Sequence, residues 1–170
     1  MRRGSLCAYN SGAVATLRKA TQEDREAIWR VFTRAVRELA RDAYTPAQIE
    51  AWAALRQPET FADAIATQEF FVAEEDGAVV GYGQLNSQTG VVEAVYVAPE
   101  CACRGLGREL MAALEARARA AGLASLRLRA SLNAVGFCEH LGWRVERREK
   151  HRLPSGVEFD VVQMVKSLAS

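Results

Sequence analysis

The sequence has no apolar stretch approaching the roughly 20 residues that cross a bilayer. Its first residues, MRRGSLCAYNSGA, carry two arginines but no continuous apolar run, so a secretion signal is not expected. Charge of one sign is missing too. With 22 basic and 21 acidic residues the net charge is +1, which gives no basic face for nucleic acid and no reason to expect a membrane partner. Cysteine is sparse, four in all at Cys7, Cys101, Cys103 and Cys138. Without a secretion signal these are expected as unlinked thiols in a reducing, cytoplasmic setting. The pairs Cys101-x-Cys103 and Cys138-x-His140 are too tightly spaced for a structural zinc site, so no metal is expected. Internal repeats and low-complexity linkers are absent.

What remains is an ordinary globular composition, 49% hydrophobic and 25% charged, in 170 residues. That length fits one domain, expected over residues 14–170 after a flexible leader at residues 1–13. Thr16 to Lys19 reads as a short strand. Thr21-Gln-Glu-Asp24 reads as a capped helix start. Ile28, Val31, Phe32, Ala35, Val36 and Leu39 then recur at helical spacing. Thr45-Pro46 opens a second helix and Glu59 to Ala66 forms a third. Strands follow at Phe70–Glu74 and Ala78–Asn86, joined by Glu75-Asp76-Gly77, and at Val91–Ala98. A helix from Gly105 to Ala120 stops at Gly122. Ser125–Ala130 alternates leucine with serine or arginine as a half-buried strand does. Asn133–Leu141 is a short helix, and Trp143–Arg152 with Val157–Val165 closes the chain as a hairpin. The order β-ααα-βββ-α-β-α-ββ implies an α/β fold, a mixed sheet with helices on both faces.

The densest signal is VVEAVYVAPECACRGLGRELM, Val91 to Met111. A strand ends at Ala98-Pro99, a glycine turn follows, and a helix opens at once. The first amides of a helix lack partners and the helix dipole favours negative charge there, so this order binds phosphate. A Walker loop needs Lys-Ser/Thr after its last glycine, but Arg108-Glu109 follows Gly107. A dinucleotide fingerprint needs a third small residue, where Leu110 stands. A nucleotide-binding α/β protein is thereby disfavoured.

The sequence resembles the GCN5-related N-acetyltransferase (GNAT) family. Its cofactor loop, Gln/Arg-x-x-Gly-x-Gly/Ala after a strand ending near proline, is matched by Ala102-Cys-Arg-Gly-Leu-Gly107. ASLNAVGFCEHLGW resembles the family's Asn-Ala-x-x-Phe-Tyr-x-x-x-Gly-Phe segment, and the likeness runs from about Thr16 to Lys166. It implies a central, mostly antiparallel sheet of six to seven strands with helices on both faces. It also implies acetyl-CoA, or a related acyl-CoA, as co-substrate. The pyrophosphate is then expected on the loop Ala102, Cys103, Arg104, Gly105, Leu106, Gly107 and Arg108. The pantetheine arm is expected along the Val95-Tyr96-Val97 backbone at an exposed strand edge, with Asn133 beside it. Ala102 departs from the family's Gln or Arg; Arg104 is either a substitute contact or a solvated cation.

The family places a tyrosine that protonates the departing thiolate where this chain has Cys138. Cys138 is then a substitute acid, a site of mixed disulfide with CoA, or a small buried residue. Glu93, expected on the side of Val95 and Val97, is the candidate base, with His151 and Asp160 as alternatives. For the acceptor, Tyr44, Trp52 and Tyr82 suggest an aromatic wall, and with nearby carboxylates a cation or aromatic amine. The expected activity is acetyl transfer to a small-molecule or peptide primary amine by direct attack in a ternary complex. The other reading is a CoA-binding module or sensor with weak or lost catalysis, which the missing tyrosine favours. A homodimer is left open by the resemblance.

Overall fold

The computed structural model describes residues 14–169; the expected leader at residues 1–13 lies outside them. Strand β1 (Thr16–Lys19) leads into helices α1 (Arg25–Leu39), α2 (Pro46–Ala53) and α3 (Ala62–Thr67). Strands β2 (Glu69–Glu75), β3 (Ala78–Asn86) and β4 (Val91–Val97) follow, then α4 (Leu106–Ala120), β5 (Ser125–Ser131), α5 (Val135–His140), β6 (Arg144–Arg152) and β7 (Glu158–Ser167). The boundaries follow local chemistry. Thr45 caps α2 reciprocally with Gln48, its Oγ1 accepting from Gln48 N–H at 3.2 Å. Gly122 and Gly142, at φ +79° and +89°, take the left-handed conformation that ends α4 and α5. β7 runs two residues past the expected Val165 because Ser167 still pairs with Ser125.

The seven strands form one sheet in the order β1-β2-β3-β4-β5-β7-β6. Every neighbour pair is antiparallel except β4 and β5. The sheet is covered on both faces. On one, Ile28, Phe32 and Val36 of α1 and Ile49 of α2 pack with Phe70, Tyr82, Phe159 and Val161. On the other, Met111 and Leu114 of α4 pack with Leu85, Val92, Leu126, Leu128 and Met164. Among the described residues no helix is long and apolar enough to cross a membrane.

The parallel pair is short. β4 and β5 are joined at Val91↔Arg127 and Val92↔Leu128, with a further bond of 2.9 Å from Arg127 N–H to Gly90 O. Beyond Val92 the two strands diverge, although β4 continues to Val97 and β5 to Ser131. On its other edge β4 is irregular at the same level: Ala94 pairs with Gln84 and Val92 with Leu85, leaving Glu93 as an extra residue. Such a bulge bends its strand and increases its twist, which suits a sheet opening on the far edge.

Candidate active site

The loop after β4 is built by sterics. Cys103 (φ +63°) and Gly105 (φ +82°) both adopt the left-handed conformation, two residues apart. Alternation of this kind turns successive backbone N–H groups inward and makes an anion nest. The first helical bond of α4 runs from Glu109 N–H to Gly105 O at 3.1 Å. The amides of Leu106, Gly107 and Arg108 therefore enter the helix without an intrahelical acceptor. Leu106 anchors the turn in the core beside Leu110. Phe137 of α5 crosses above Gly107, and Val97 lies below it. Arg104, one of the candidate phosphate contacts, is held by Glu75, Nη2 to Oε2 at 3.0 Å and Nη1 to Oε1 at 3.3 Å.

A cavity of about 500 Å³ occupies the gap between β4 and β5. It is lined from both faces of the sheet. Val95, Met111, Leu128, Ala134, Phe137 and Cys138 line it on the α4–α5 side; Phe32, Trp52, Phe61, Tyr82, Tyr96 and Phe159 line it on the α1–α2 side. Glu93 lines the middle and is exposed. Its expected alternation with Val95 and Val97 does not run through the bulge, since Val92 packs towards α4 and Ala94 towards α1.

The structure thus brings together Glu93, Cys138, Val95, Tyr96, Trp52 and Tyr82 around one cavity. Ala102 to Arg108 form the loop beside it, and Asn133 is an exposed residue in the turn before α5. Tyr44 is not among the lining residues. Its ring is buried against Trp52 and Phe159, and its hydroxyl donates to Asp160 O at 2.6 Å and accepts from Leu132 N–H at 2.8 Å. Of the alternative bases, Asp160 accepts from Lys150 at 3.0 Å and does not line the cavity, whereas His151 does. Phe137 and Arg56 are lining residues that the sequence did not single out, although Phe137 lies within the segment that carries the family resemblance.

Burial sets the protonation of the interior groups. It pushes the Cys138 thiol up to about 11, the nearby Glu139 adding to the effect. It pushes Tyr96 up to about 12 and holds Tyr82 well above its ordinary value. All three stay protonated at neutral pH. Glu93 is the one carboxylate among the lining residues, against Arg56, Arg127 and Arg129. The expected carboxylates beside the aromatic wall are therefore replaced by arginines. Arg129 pairs with Glu149 (Nε to Oε1, 3.4 Å) and donates to His151 Nδ1 at 3.2 Å. Among the described residues no cluster of three or more His, Cys, Asp or Glu could hold a metal ion.

Residues 40–168 match the sequence model of a family described as acetyltransferase (GNAT) domain. Among solved structures the chain is similar to a GCN5-related N-acetyltransferase of Rhodopseudomonas palustris, with 30% identity, a TM-score of 0.85, and coverage of 91% of this chain and 96% of that one. It is also similar to YncA of Salmonella typhimurium, a putative acetyltransferase with its cofactor acetyl-CoA, at 25% identity and a TM-score of 0.64 over 92% and 95% of the two chains. It shares its fold with the PaiA N-acetyltransferase of Thermoplasma acidophilum in complex with coenzyme A, at 20% identity and a TM-score of 0.71 over 91% and 99%. No curated protein matches.

Proposed function

Because the chain belongs to the acetyltransferase (GNAT) family, we propose that it transfers an acetyl group from acetyl-CoA, or a related acyl-CoA, to a primary amine by direct attack in a ternary complex. The observation that carries this reading is the end of β4–β5 pairing at Val92, next to the Cys103–Arg108 nest. An extended chain laid along β4 beyond Val92 finds a strand edge that β5 leaves free, and its anionic end reaches the helix amides. The residues fit such a group: the amides of Leu106, Gly107 and Arg108 have no intrahelical acceptor, and a Cβ at Gly107 would press on Phe137 at 3.1 Å.

Bound there, acetyl-CoA would supply an activated acyl carbon in the gap, where the cofactor side of the cavity meets the aromatic side. The amide of Val95 would hold the acyl oxygen. Glu93 would take the proton of the attacking amine through a water, and Cys138 would return a proton to the sulfur as its bond to carbon breaks. The cavity residues would orient the amine at the acyl carbon, which lowers the barrier by positioning. Both titrating candidates line the same cavity.

The test pairs calorimetric titration with CoA and thiol release from acetyl-CoA over a panel of primary amines. CoA binding with amine-dependent thiol release supports transfer. A second reading, a CoA-binding module with lost catalysis, draws on the burial of Cys138 to 4% exposure. CoA binding without release from any amine favours it, and absence of CoA binding overturns both.

A further inference from the structure

The acceptor side of the cavity is aromatic in its depth and cationic at its rim. Arg56, just after α2, lines it and makes no ion pair or side-chain hydrogen bond among the described residues. Its charge favours the ionised forms of Tyr82 and Tyr96, against the larger effect of burial. The guanidinium and both phenols line the same cavity. A guanidinium in a cavity that also holds hydroxyl donors can receive a planar anion, and a carboxylate matches its fork in bidentate fashion.

The opposite wall adds donors. Arginine has no acceptor, so Arg129 donates to His151 Nδ1, and the neutral imidazole keeps its proton on Nε2. Burial, then the charge of Arg129, holds His151 below its ordinary range, so the ring is neutral near pH 7. His151 thereby offers a donor rather than a free base. Glu149, the carboxylate whose charge acts on His151, is taken up by Arg129, Arg147 and Gln163. An acceptor that was only a cation would meet one carboxylate, Glu93, and three guanidiniums.

We infer that the acceptor is an amino acid: its carboxylate sits on Arg56, its apolar side chain lies among the cavity aromatics, and its amine points towards Glu93 and the gap. The inference rests on the acyltransferase reading and narrows its substrate class. The two fail differently.

The experiment measures thiol release from acetyl-CoA with the common amino acids, each beside its own carboxamide, in which the acid charge is gone and the amine kept. At least one apolar or aromatic amino acid is expected to exceed its amide in kcat/KM by about ten- to a hundredfold, the range for a hydrogen-bonded charge. Arg56→Gln is expected to erase that preference by raising the amino acid's KM, while Arg56→Lys keeps part of it. The KM for acetyl-CoA, read alongside, shows that the cofactor side is intact. Transfer to amides at least as efficient as to the free acids overturns this inference and leaves the acyltransferase reading standing. A preference for the acid that survives Arg56→Gln unchanged overturns the placement on Arg56. Silence across the amino acids and their amides, with thiol release from another primary amine, overturns this inference alone; silence with every amine while CoA still binds overturns the acyltransferase reading with it.

Discussion

The ring of Phe137 closes the space above Gly107: a Cβ there would sit 3.1 Å from Cζ and 3.4 Å from Cε2. Gly105, two residues earlier, shows the opposite condition, open space within 4 Å but a φ of +82°. One glycine is required for room and the other for conformation. Gly107→Ala is expected to leave the thermal midpoint within a few degrees, because alanine favours the helix. It should weaken CoA binding about tenfold by displacing Phe137 and crowding the amides. Gly105→Ala should lower stability by about 1–2 kcal/mol, the left-handed penalty, as well as binding. Calorimetric CoA titration and thermal unfolding check both variants. Undiminished CoA affinity in Gly107→Ala would remove the loop from the binding site.

Tyr44 ties together three distant parts of the chain. Its hydroxyl links the connection between α1 and α2 to Asp160 on β7 and to the amide of Leu132 before α5. Tyr44→Phe keeps the ring but strips a half-buried amide and a carbonyl of their partner. The expected cost is about 1–3 kcal/mol, read from denaturant unfolding. A variant as stable as the parent would show that water replaces the hydroxyl.

Much of this architecture is legible locally. The Thr45-Pro46 start of α2, the glycine stops at Gly122 and Gly142, and the strand–turn–helix around Gly105 depend on neighbours in sequence, so the residues announce them. What escapes is set by partners far along the chain. The bulge at Glu93 exists because β3 pairs one residue short, and alternation within β4 cannot reveal it. Tyr44 reads as part of an acceptor wall until Asp160 and Leu132, 116 and 88 residues away, are placed beside it. Arg104 reads as either a phosphate contact or a solvated cation, and the ion pair with Glu75 that β2 brings to its guanidinium is not visible in the sequence. Arg127 and Arg129 sit at the polar positions of an alternating strand and look like a solvated face. The divergence of β4 from β5 turns that face into a cavity wall.

Stability at acid pH is expected to depend on Asp24. Arg18 grips both its oxygens at 2.8 and 2.9 Å, and Thr21 N–H donates to it at 2.8 Å. Hydrogen bonding from Arg18 is the main reason its carboxyl titrates below the ordinary range. A depressed carboxyl stabilises the fold above its unfolded value, and that contribution is lost as the pH falls through the folded one. Asp24→Asn should therefore lower stability at pH 7 and flatten its decline below about pH 4. Parallel pH profiles for the two proteins would show that the pair is worth nothing.

Glu93 gives the sharpest test of the proposed base. It stands at the bulge where the cavity passes through the sheet, and no other carboxylate lines that cavity among the described residues. Glu93→Gln preserves shape and hydrogen bonding but cannot accept a proton. A positioned base contributes roughly 10²–10⁴-fold, so kcat should fall by that order. The acid limb of the pH–rate profile should flatten, with KM for acetyl-CoA little changed. A profile of unaltered shape would exclude the role, whatever the change in rate.

Cys138 carries two separable consequences of burial. Its thiol titrates at about 11 instead of about 9, chiefly by desolvation. Below about 9 both folded and unfolded chains hold the proton, and the contribution to stability is fully present. Between about 9 and 11 the unfolded chain releases its proton first, so stability falls with rising pH. That difference corresponds to on the order of 3 kcal/mol. The stability gap between the parent and Cys138→Ala should therefore narrow across that window, measured by denaturant unfolding at several pH values. A constant gap would mean that the thiol is solvated. The same burial keeps the group protonated at neutral pH, as a donor to a departing thiolate must be. If it serves so, Cys138→Ala lowers kcat at pH 7 without raising the Kd for CoA, and Cys138→Ser, which restores a donor of similar size, recovers part of the loss. Equal kcat in all three proteins would leave Cys138 as packing alone, with the proton for sulfur coming from water or from one of the two neutral phenols, Tyr82 and Tyr96, that line the same gap.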